Sequence, residues 1–126
     1  MRLLTSLLII FASIISFGFW MEHSLEVSTD ELTKQIERVS NEVKKEEWVK
    51  AVIKMDEVEE KWQEETKWWP IFIDHLEIDN IEFSLAKTKE YIKSQDTALS
   101  RGQLSELKFM LEHIASKEKI NLKNIL

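Results

Sequence analysis

The hydrophobic and polar positions divide the chain into an apolar N-terminal segment and a long polar remainder. Leu3–Trp20 contains no charged side chain, whereas acidic and basic residues are frequent from Glu22 onward. A helix of this length spans about 27 Å, close to the ~30 Å hydrocarbon core of a bilayer. The pattern predicts a transmembrane anchor over residues 1–21 and a separate helical domain over residues 22–126.

The charges that flank the apolar segment predict its orientation. Arg2 and the N-terminal amine precede it, and Glu22, His23 and Glu26 follow it. By the positive-inside rule, the N-terminus lies in the cytoplasm and residues 22–126 lie outside the cell membrane. The lipid bilayer is therefore the expected partner of Leu3–Trp20.

Two other interpretations of the apolar segment remain open. One is a cleaved signal peptide, with Leu3–Ile15 as its apolar region and Ser16 and Gly18 as the small residues before the cut. Bulky aromatic residues crowd that site, namely Phe17, Phe19 and Trp20. The other interpretation is a helix buried in a protein core.

Beyond residue 22, apolar residues recur every three or four positions, which predicts amphipathic helices. The first helix is expected to start at Ser28, which can form a capping box with Glu31. The apolar stripe slips by two residues near Lys45, which predicts a tight turn and an antiparallel hairpin. One long helix with a rotated stripe is the alternative. The first stripe comprises Leu32, Ile36, Val39 and Val43.

Three further helices are expected. Pro70 ends the second, and the third begins at Pro70 itself or at Asp74 and ends near Ser94. A connection over residues 96–102 leads to a fourth helix, which Ser100 could cap. The second stripe comprises Trp48, Val52, Met55, Trp62 and Trp69, and the last comprises Leu104, Leu107, Leu111 and Ile114. The apolar tail, which is expected to dock on the other helices, comprises Ile120, Leu122, Ile125 and Leu126.

The composition supports an all-α fold. Glycine occurs only at Gly18 and Gly102 and proline only at Pro70, so the chain lacks the turn residues of a β-rich fold. Four helices with one apolar face each must bury those faces against one another. We expect a small antiparallel bundle, with tetratricopeptide-like hairpins as the alternative, although no 34-residue repeat is visible.

A series of residues occurs in a characteristic order after the apolar segment: Glu47–Trp48, Ala51, Lys61–Trp62, Trp69, Ile73–Glu82, Ser84–Ala86, Tyr91–Ile92, Leu107–Phe109 and Leu111–Ile114. This order resembles a bacterial family, the domain of unknown function 4363. The resemblance covers essentially the whole chain, and Pro70 departs from the family's pattern. It implies an apolar N-terminal segment and a helical domain, and it brings no assigned activity.

The densest polar cluster lies at the start of the third predicted helix. Its residues have helical spacing that could hold a divalent metal or a small ligand, with His113 or Glu112 arriving from the fourth helix. The other interpretation is helix capping and a polar network, with no metal and no cofactor. The cluster comprises Asp74, His75, Glu77, Asp79 and Glu82.

Four tryptophans lie between residues 48 and 69. Trp48, Trp62 and Trp69 share one heptad position and are expected in the core. Trp68 lies off that stripe, so we expect it to be exposed and to contact a partner.

Charge and composition exclude several classes of function. All 23 acidic residues and 16 of the 17 basic ones follow residue 20, so that part carries a net charge near −7, which argues against nucleic acid or anionic lipid head groups as the main partner. The chain has no cysteine, which excludes disulfides and Cys-ligated metals. No catalytic motif is present, so we expect a non-enzymatic module that binds a protein, with a ligand or metal sensor at Asp74–Glu82 as the alternative.

Overall fold

The computed structural model describes residues 1–125, without the side chains of residues 121, 122 and 125, and every regular element in that range is helical. This confirms the all-α prediction. A 3₁₀ turn at Trp69–Ile71 separates the second and third of four helices. The helices are α1 at Arg2–Lys44, α2 at Trp48–Glu65, α3 at His75–Lys93 and α4 at Thr97–Ile125.

The four helices form an antiparallel bundle. Each helix packs against the next in the chain, and α1 also packs against α4, which closes the ring. Lysine–carboxylate pairs tie together all four adjacent pairs of helices. This closure distinguishes the bundle from stacked tetratricopeptide-like hairpins. The pairs are Lys54–Glu42 (2.9 Å) and Lys61–Glu31 (3.0 Å) for α1 and α2, Lys89–Asp56 (2.8 Å) for α2 and α3, Lys117–Glu77 (3.1 Å) for α3 and α4, and Lys108–Glu37 (2.6 Å) for α1 and α4.

The predicted apolar stripes form the core. Trp62 and Trp69 are buried, and their rings meet edge to face with centroids 5.3 Å apart. Trp69 reaches the core from the 3₁₀ turn rather than from α2, because α2 ends at Glu65. The fully buried large side chains are Leu32, Ile36, Val39, Val43, Met55, Val58, Ile81, Thr88, Ile92, Leu104, Leu107 and Leu111.

The predicted helix start at Ser28 is wrong, because α1 runs without interruption from Arg2 to Lys44. The backbone N–H groups that a capping serine would satisfy are already bonded within the helix. Ser28 is buried instead, and its hydroxyl donates a 2.7 Å hydrogen bond to Oε2 of Glu65 on α2. The apolar segment and the first bundle helix are therefore one helix of 43 residues.

The predicted turn near Lys45 is confirmed, and it has the geometry of a Schellman motif. Glu47 N–H donates to the carbonyl of Glu42, and Glu46 N–H donates to the carbonyl of Val43, both at 3.0 Å. Glu46 adopts a positive φ of 57°. The hairpin alternative is therefore the one that the chain adopts.

The same turn recurs between α3 and α4. Gln95 also has a φ of 57°, Asp96 N–H donates to the carbonyl of Tyr91, and Gln95 N–H donates to that of Ile92. The two turns lie side by side at one end of the bundle, where Thr97 Oγ1 is 3.5 Å from Oε1 of Glu46.

The two hairpins repeat each other with a spacing of 49 residues. Helices α1 and α3 end at Lys44 and Lys93, and helices α2 and α4 begin at Trp48 and Thr97. The bundle is thus two copies of one hairpin. Nine pairs of buried positions follow this spacing: Thr29/Ile78, Leu32/Ile81, Ile36/Leu85, Val39/Thr88, Val43/Ile92, Ala51/Ser100, Met55/Leu104, Val58/Leu107 and Trp62/Leu111.

The observed N-termini of α3 and α4 test the predicted caps of the third and fourth helices. Asp74 caps α3 by accepting a 2.9 Å hydrogen bond from Leu76 N–H, so the helix starts there and not at Pro70. Ser100 is not a cap, because Asp96 accepts a 2.9 Å hydrogen bond from Leu99 N–H and α4 begins earlier than predicted. Ser100 is buried inside α4.

The apolar tail was predicted to dock on the other helices, and this prediction is wrong for Ile120, the one tail residue whose side chain the structure describes. Ile120 is exposed on α4. The side chains of Leu122 and Ile125, and Leu126 as a whole, lie outside the described residues.

Candidate functional site: the α3–α4 groove

The predicted polar cluster is dispersed around α3. Asp74 caps the helix, and Glu77 accepts a 3.1 Å hydrogen bond from Lys117 on α4. Glu82 faces the opposite neighbour, where the indole N–H of Trp62 lies 3.4 Å from its Oε1. His75 and Asp79 are exposed. Within residues 1–125, no three His, Asp or Glu side chains are placed to hold a metal ion.

Two of the candidate residues do come together. Glu77 and His113 line one groove between α3 and α4, with a volume of about 190 Å³. Small-molecule pockets usually measure ~300–1,000 Å³, so this groove is better suited to a side chain of another protein. The remaining lining residues are Asn80, Ile81, Met110 and Ile114.

Two exposed aromatic residues lie on the outer faces of the same two helices, beyond the residues that line the groove. The ring of Phe109 stacks on His113, with centroids 6.2 Å apart and planes 12° apart. Phe83 lies one helical turn after Asn80, on the same side of α3. Both phenylalanines are 68% exposed. We call the groove and these two residues the α3–α4 surface.

The first hairpin shows that the bundle does not require this surface. The positions 49 residues before Phe83 and Phe109 hold Lys34 and Glu60, which are charged and exposed. Where the second hairpin has Asn80 and Met110 in an open groove, the first has Glu31 and Lys61 joined by a 3.0 Å ion pair. Apolar residues thus occupy positions that the equivalent hairpin fills with charges.

The ion pair between Lys117 and Glu77 dominates the electrostatics at the edge of the groove that lies nearest the N-terminal half of α1. The hydrogen bond to Glu77 raises the pKa of Lys117 above its ordinary value. Burial, followed by the nearby Glu77 carboxylate, raises the pKa of Glu118. Glu77 is therefore paired with Lys117 on α4, and a ligand that binds Glu77 in this groove has to displace that lysine.

Sequence reasoning named Glu77 and His113 but missed Phe83 and Phe109. A signal was available, because both phenylalanines fall outside the apolar stripes of α3 and α4. A large apolar residue out of phase with its stripe must point to solvent or to a partner.

The tryptophans divide as predicted, with one qualification. Trp62 and Trp69 are buried, whereas Trp48 is half-buried against the core. Trp68 is 68% exposed, but it lies in the α2–α3 connection and not near the α3–α4 surface.

A second exposed apolar surface covers the N-terminal half of α1. Its best 18-residue window has a mean hydropathy of 2.2, and none of that window is buried in the protein. By length and composition this helix is able to cross a membrane. Full burial in the bundle begins only at Leu25, which is 2% exposed, so the interpretation of Leu3–Trp20 as a buried core helix is wrong.

Comparison with known proteins gives a family and nothing more specific. No curated protein matches the chain, and no solved structure matches it. Residues 19–125 match the family described as "Domain of unknown function (DUF4363)". This range contains the whole bundle, both turns and the α3–α4 surface. The chain therefore belongs to the DUF4363 family.

Proposed function

We propose that this protein is a non-enzymatic, membrane-tethered module that binds an amphipathic helix of a partner protein through the α3–α4 surface. The N-terminus lies in the cytoplasm, and the bundle lies on the outer side of the membrane. The observation that carries the proposal is the replacement of charged residues by Phe83 and Phe109 at equivalent exposed positions of the second hairpin.

The tether is supported by exposure and by charge. Residues 3–20 are apolar and almost entirely exposed, which is unfavourable in water and favourable in a bilayer. Arg2 on one side and Glu22 and Glu26 on the other favour a cytoplasmic N-terminus.

A helix is the partner element that fits this surface. The groove runs between two antiparallel helices, and a third helix can pack along such a groove and place one side chain in it. Exposed Phe83 and Phe109 would supply most of the contact area, because buried aromatic residues dominate the energetics of interfaces.

Site-specific photocrosslinking tests this proposal in cells. A benzophenone amino acid replaces Phe109 in the full-length protein, and Glu60, its equivalent in the first hairpin, is the matched control. We expect a crosslinked product of discrete mass at position 109 and none at position 60. Phe83→Lys should reduce the product formed at position 109, because it removes the other exposed aromatic side chain of the proposed binding surface.

The same experiment can contradict the proposal. Equal products at positions 60 and 109 would show that the surface is not selective. Absence of any product at position 109, or products with lipid only, would contradict the proposal that this surface binds a protein.

A ligand sensor is the second candidate, because Glu77 and His113 line one groove. Calorimetry of the full-length protein with zinc tests it. Micromolar binding that His113→Ala abolishes would favour the sensor, and absence of binding would favour the interaction module.

A further inference from the structure

The end of the bundle nearest the anchor carries apolar residues that the α3–α4 surface does not explain. Trp68 and Ile71, in the connection between α2 and α3, are 68% and 73% exposed. Their neighbours Trp69 and Ile73 are buried and hold the connection against the core. The connection is therefore fixed in place while Trp68 and Ile71 face outward.

The position of this connection relative to the anchor follows from α1. Ser28 on α1 donates a hydrogen bond to Glu65, the last residue of α2. Since α2 is antiparallel to α1, the chain continues from Glu65 toward the apolar half of α1. Ser28 lies eight residues, or about 12 Å, beyond Trp20, so the connection lies within that distance of the end of the apolar segment.

That distance of up to about 12 Å ends a few ångströms outside the interfacial region of a bilayer. The hydrocarbon core is ~30 Å thick and the whole bilayer ~40–45 Å, which leaves roughly 5–8 Å of headgroup region on each side. Transmembrane helices are also tilted by about 20° on average, which brings one side of the bundle closer to the lipid. The side chain of Trp68 can span the remaining gap.

The end of α4 reaches the same level. Lys108 on α4 binds Glu37 on α1 at 2.6 Å, and the two helices are antiparallel. Twelve residues further along α4 is Ile120, and twelve residues back along α1 is Leu25. Exposed Ile120 thus lies about 8 Å beyond the level of Trp20.

Charged residues at this end limit how deeply the bundle can enter. Glu22, Glu26 and Asp74 lie at this end of the bundle, and moving a charged carboxylate into hydrocarbon is costly, so the bundle stops at the headgroup region. Exposed Lys67, next to Trp68, suits the phosphate groups of lipids. Tryptophan between apolar and charged neighbours is typical of membrane interfaces.

We propose that Trp68 and Ile71 insert into the headgroup region of the bilayer that α1 crosses, so that the bundle rests on the membrane surface instead of standing free of it. Ile120 adds a second contact on α4. The inference rests on the proposed tether. It replaces the protein partner predicted for Trp68 with a lipid surface.

Nitroxide depth measurements test this inference on the full chain. The protein has no cysteine, so single cysteines can be introduced for labelling without removing any other. Labels at Phe17, Lys67 and Glu46 report on the anchor, the α2–α3 connection and the far end of the bundle. The protein is reconstituted in phosphatidylcholine vesicles, and accessibility to oxygen and to a water-soluble nickel chelate is compared.

We expect the label at position 17 in the hydrocarbon, the label at 67 at intermediate depth and the label at 46 in water. Adding Trp68→Glu and Ile71→Glu should move the label at 67 into water and leave the label at 17 unchanged. A label at 67 as exposed as the one at 46 would overturn the inference while the tether stands. A label at 67 hidden from both reagents would indicate a protein contact and also overturn it. A label at 17 in water would contradict the tether itself.

Discussion

At the scale of single residues, the two turns contain backbone strain that their side chains do not relieve. Glu46 and Gln95 adopt the left-handed conformation, which costs a non-glycine residue roughly 1–2 kcal/mol. The sequence predicted the first turn from the slip of the stripe but gave no glycine to locate it. The helix starts predicted at Ser28 and Ser100 were wrong. Each serine lies three residues before a Glu or Gln, and this capping-box pattern also occurs inside helices.

Glycine at either turn should therefore stabilise the protein. We expect Glu46→Gly and Gln95→Gly each to raise the free energy of unfolding by about 0.5–1 kcal/mol, since relief of strain exceeds the added entropy of the unfolded chain. Denaturant unfolding measures this. Lys45→Gly is the control, because φ at Lys45 is −83° and glycine there should destabilise. Loss of stability in the Glu46 variant would show that its side chain contributes more than its backbone costs.

Trp62 should be the most sensitive aromatic position in the core. It is buried against Trp69, so Trp62→Ala should lower the free energy of unfolding by about 3–5 kcal/mol. Val49→Ala, an exposed position on the same helix, serves as control and should change little. A shift of the melting temperature by only a degree or two in the Trp62 variant would contradict its place in the core.

At the scale of helices, the amphipathic stripes were sufficient to predict four helices, their antiparallel order and most of their core residues. The 49-residue repeat escaped sequence analysis because the paired positions share burial but few identities, as with Ala51 and Ser100. The site was predicted only in part, because Glu77 and His113 do line one groove, but spacing along the chain could not reveal that the rest of the Asp74–Glu82 cluster is dispersed around α3.

The contacts between helices should make the bundle sensitive to acid. Hydrogen bonds from Ser28 and Lys61 lower the pKa of Glu65, and a hydrogen bond from Lys54 lowers that of Glu42, both from an ordinary value of 4.5. Because the unfolded state then binds more protons, stability is full above that value and falls as pH decreases below it.

Thermal melts between pH 7 and pH 3 measure this dependence. Ser28→Ala should weaken it, because the largest cause of the shift at Glu65 is removed. Glu118 has a raised pKa and acts in the opposite direction, since its contribution is lost as pH rises. A melting temperature that is constant over this range would contradict the role of these carboxylates.

At the scale of the whole molecule, the apolar half of α1 lies outside the core of the bundle, although it continues the same helix. Full burial starts at Leu25 and no core residue precedes it. A chain that begins at residue 22 should therefore remain helical and soluble. Its thermal unfolding should be cooperative. Circular dichroism tests this, and a molten or insoluble product would show that the apolar half contributes to folding.

In the proposed membrane-tethered arrangement, the uninterrupted α1 helix would fix the rotation of the bundle about the membrane normal. Each residue inserted after Met21 would turn the bundle by about 100° and raise it by about 1.5 Å. One added alanine would thus rotate the α3–α4 surface with almost no change in its distance from the membrane. Four added alanines would nearly restore its original orientation but would move it about 6 Å further from the membrane. Binding of a partner in the same membrane should depend mainly on the rotation of the bundle. The contact of Trp68 with lipid should depend mainly on the distance of the bundle from the membrane. Alanine insertions, read by the crosslink at position 109 and the label at position 67, can separate these two effects in one protein.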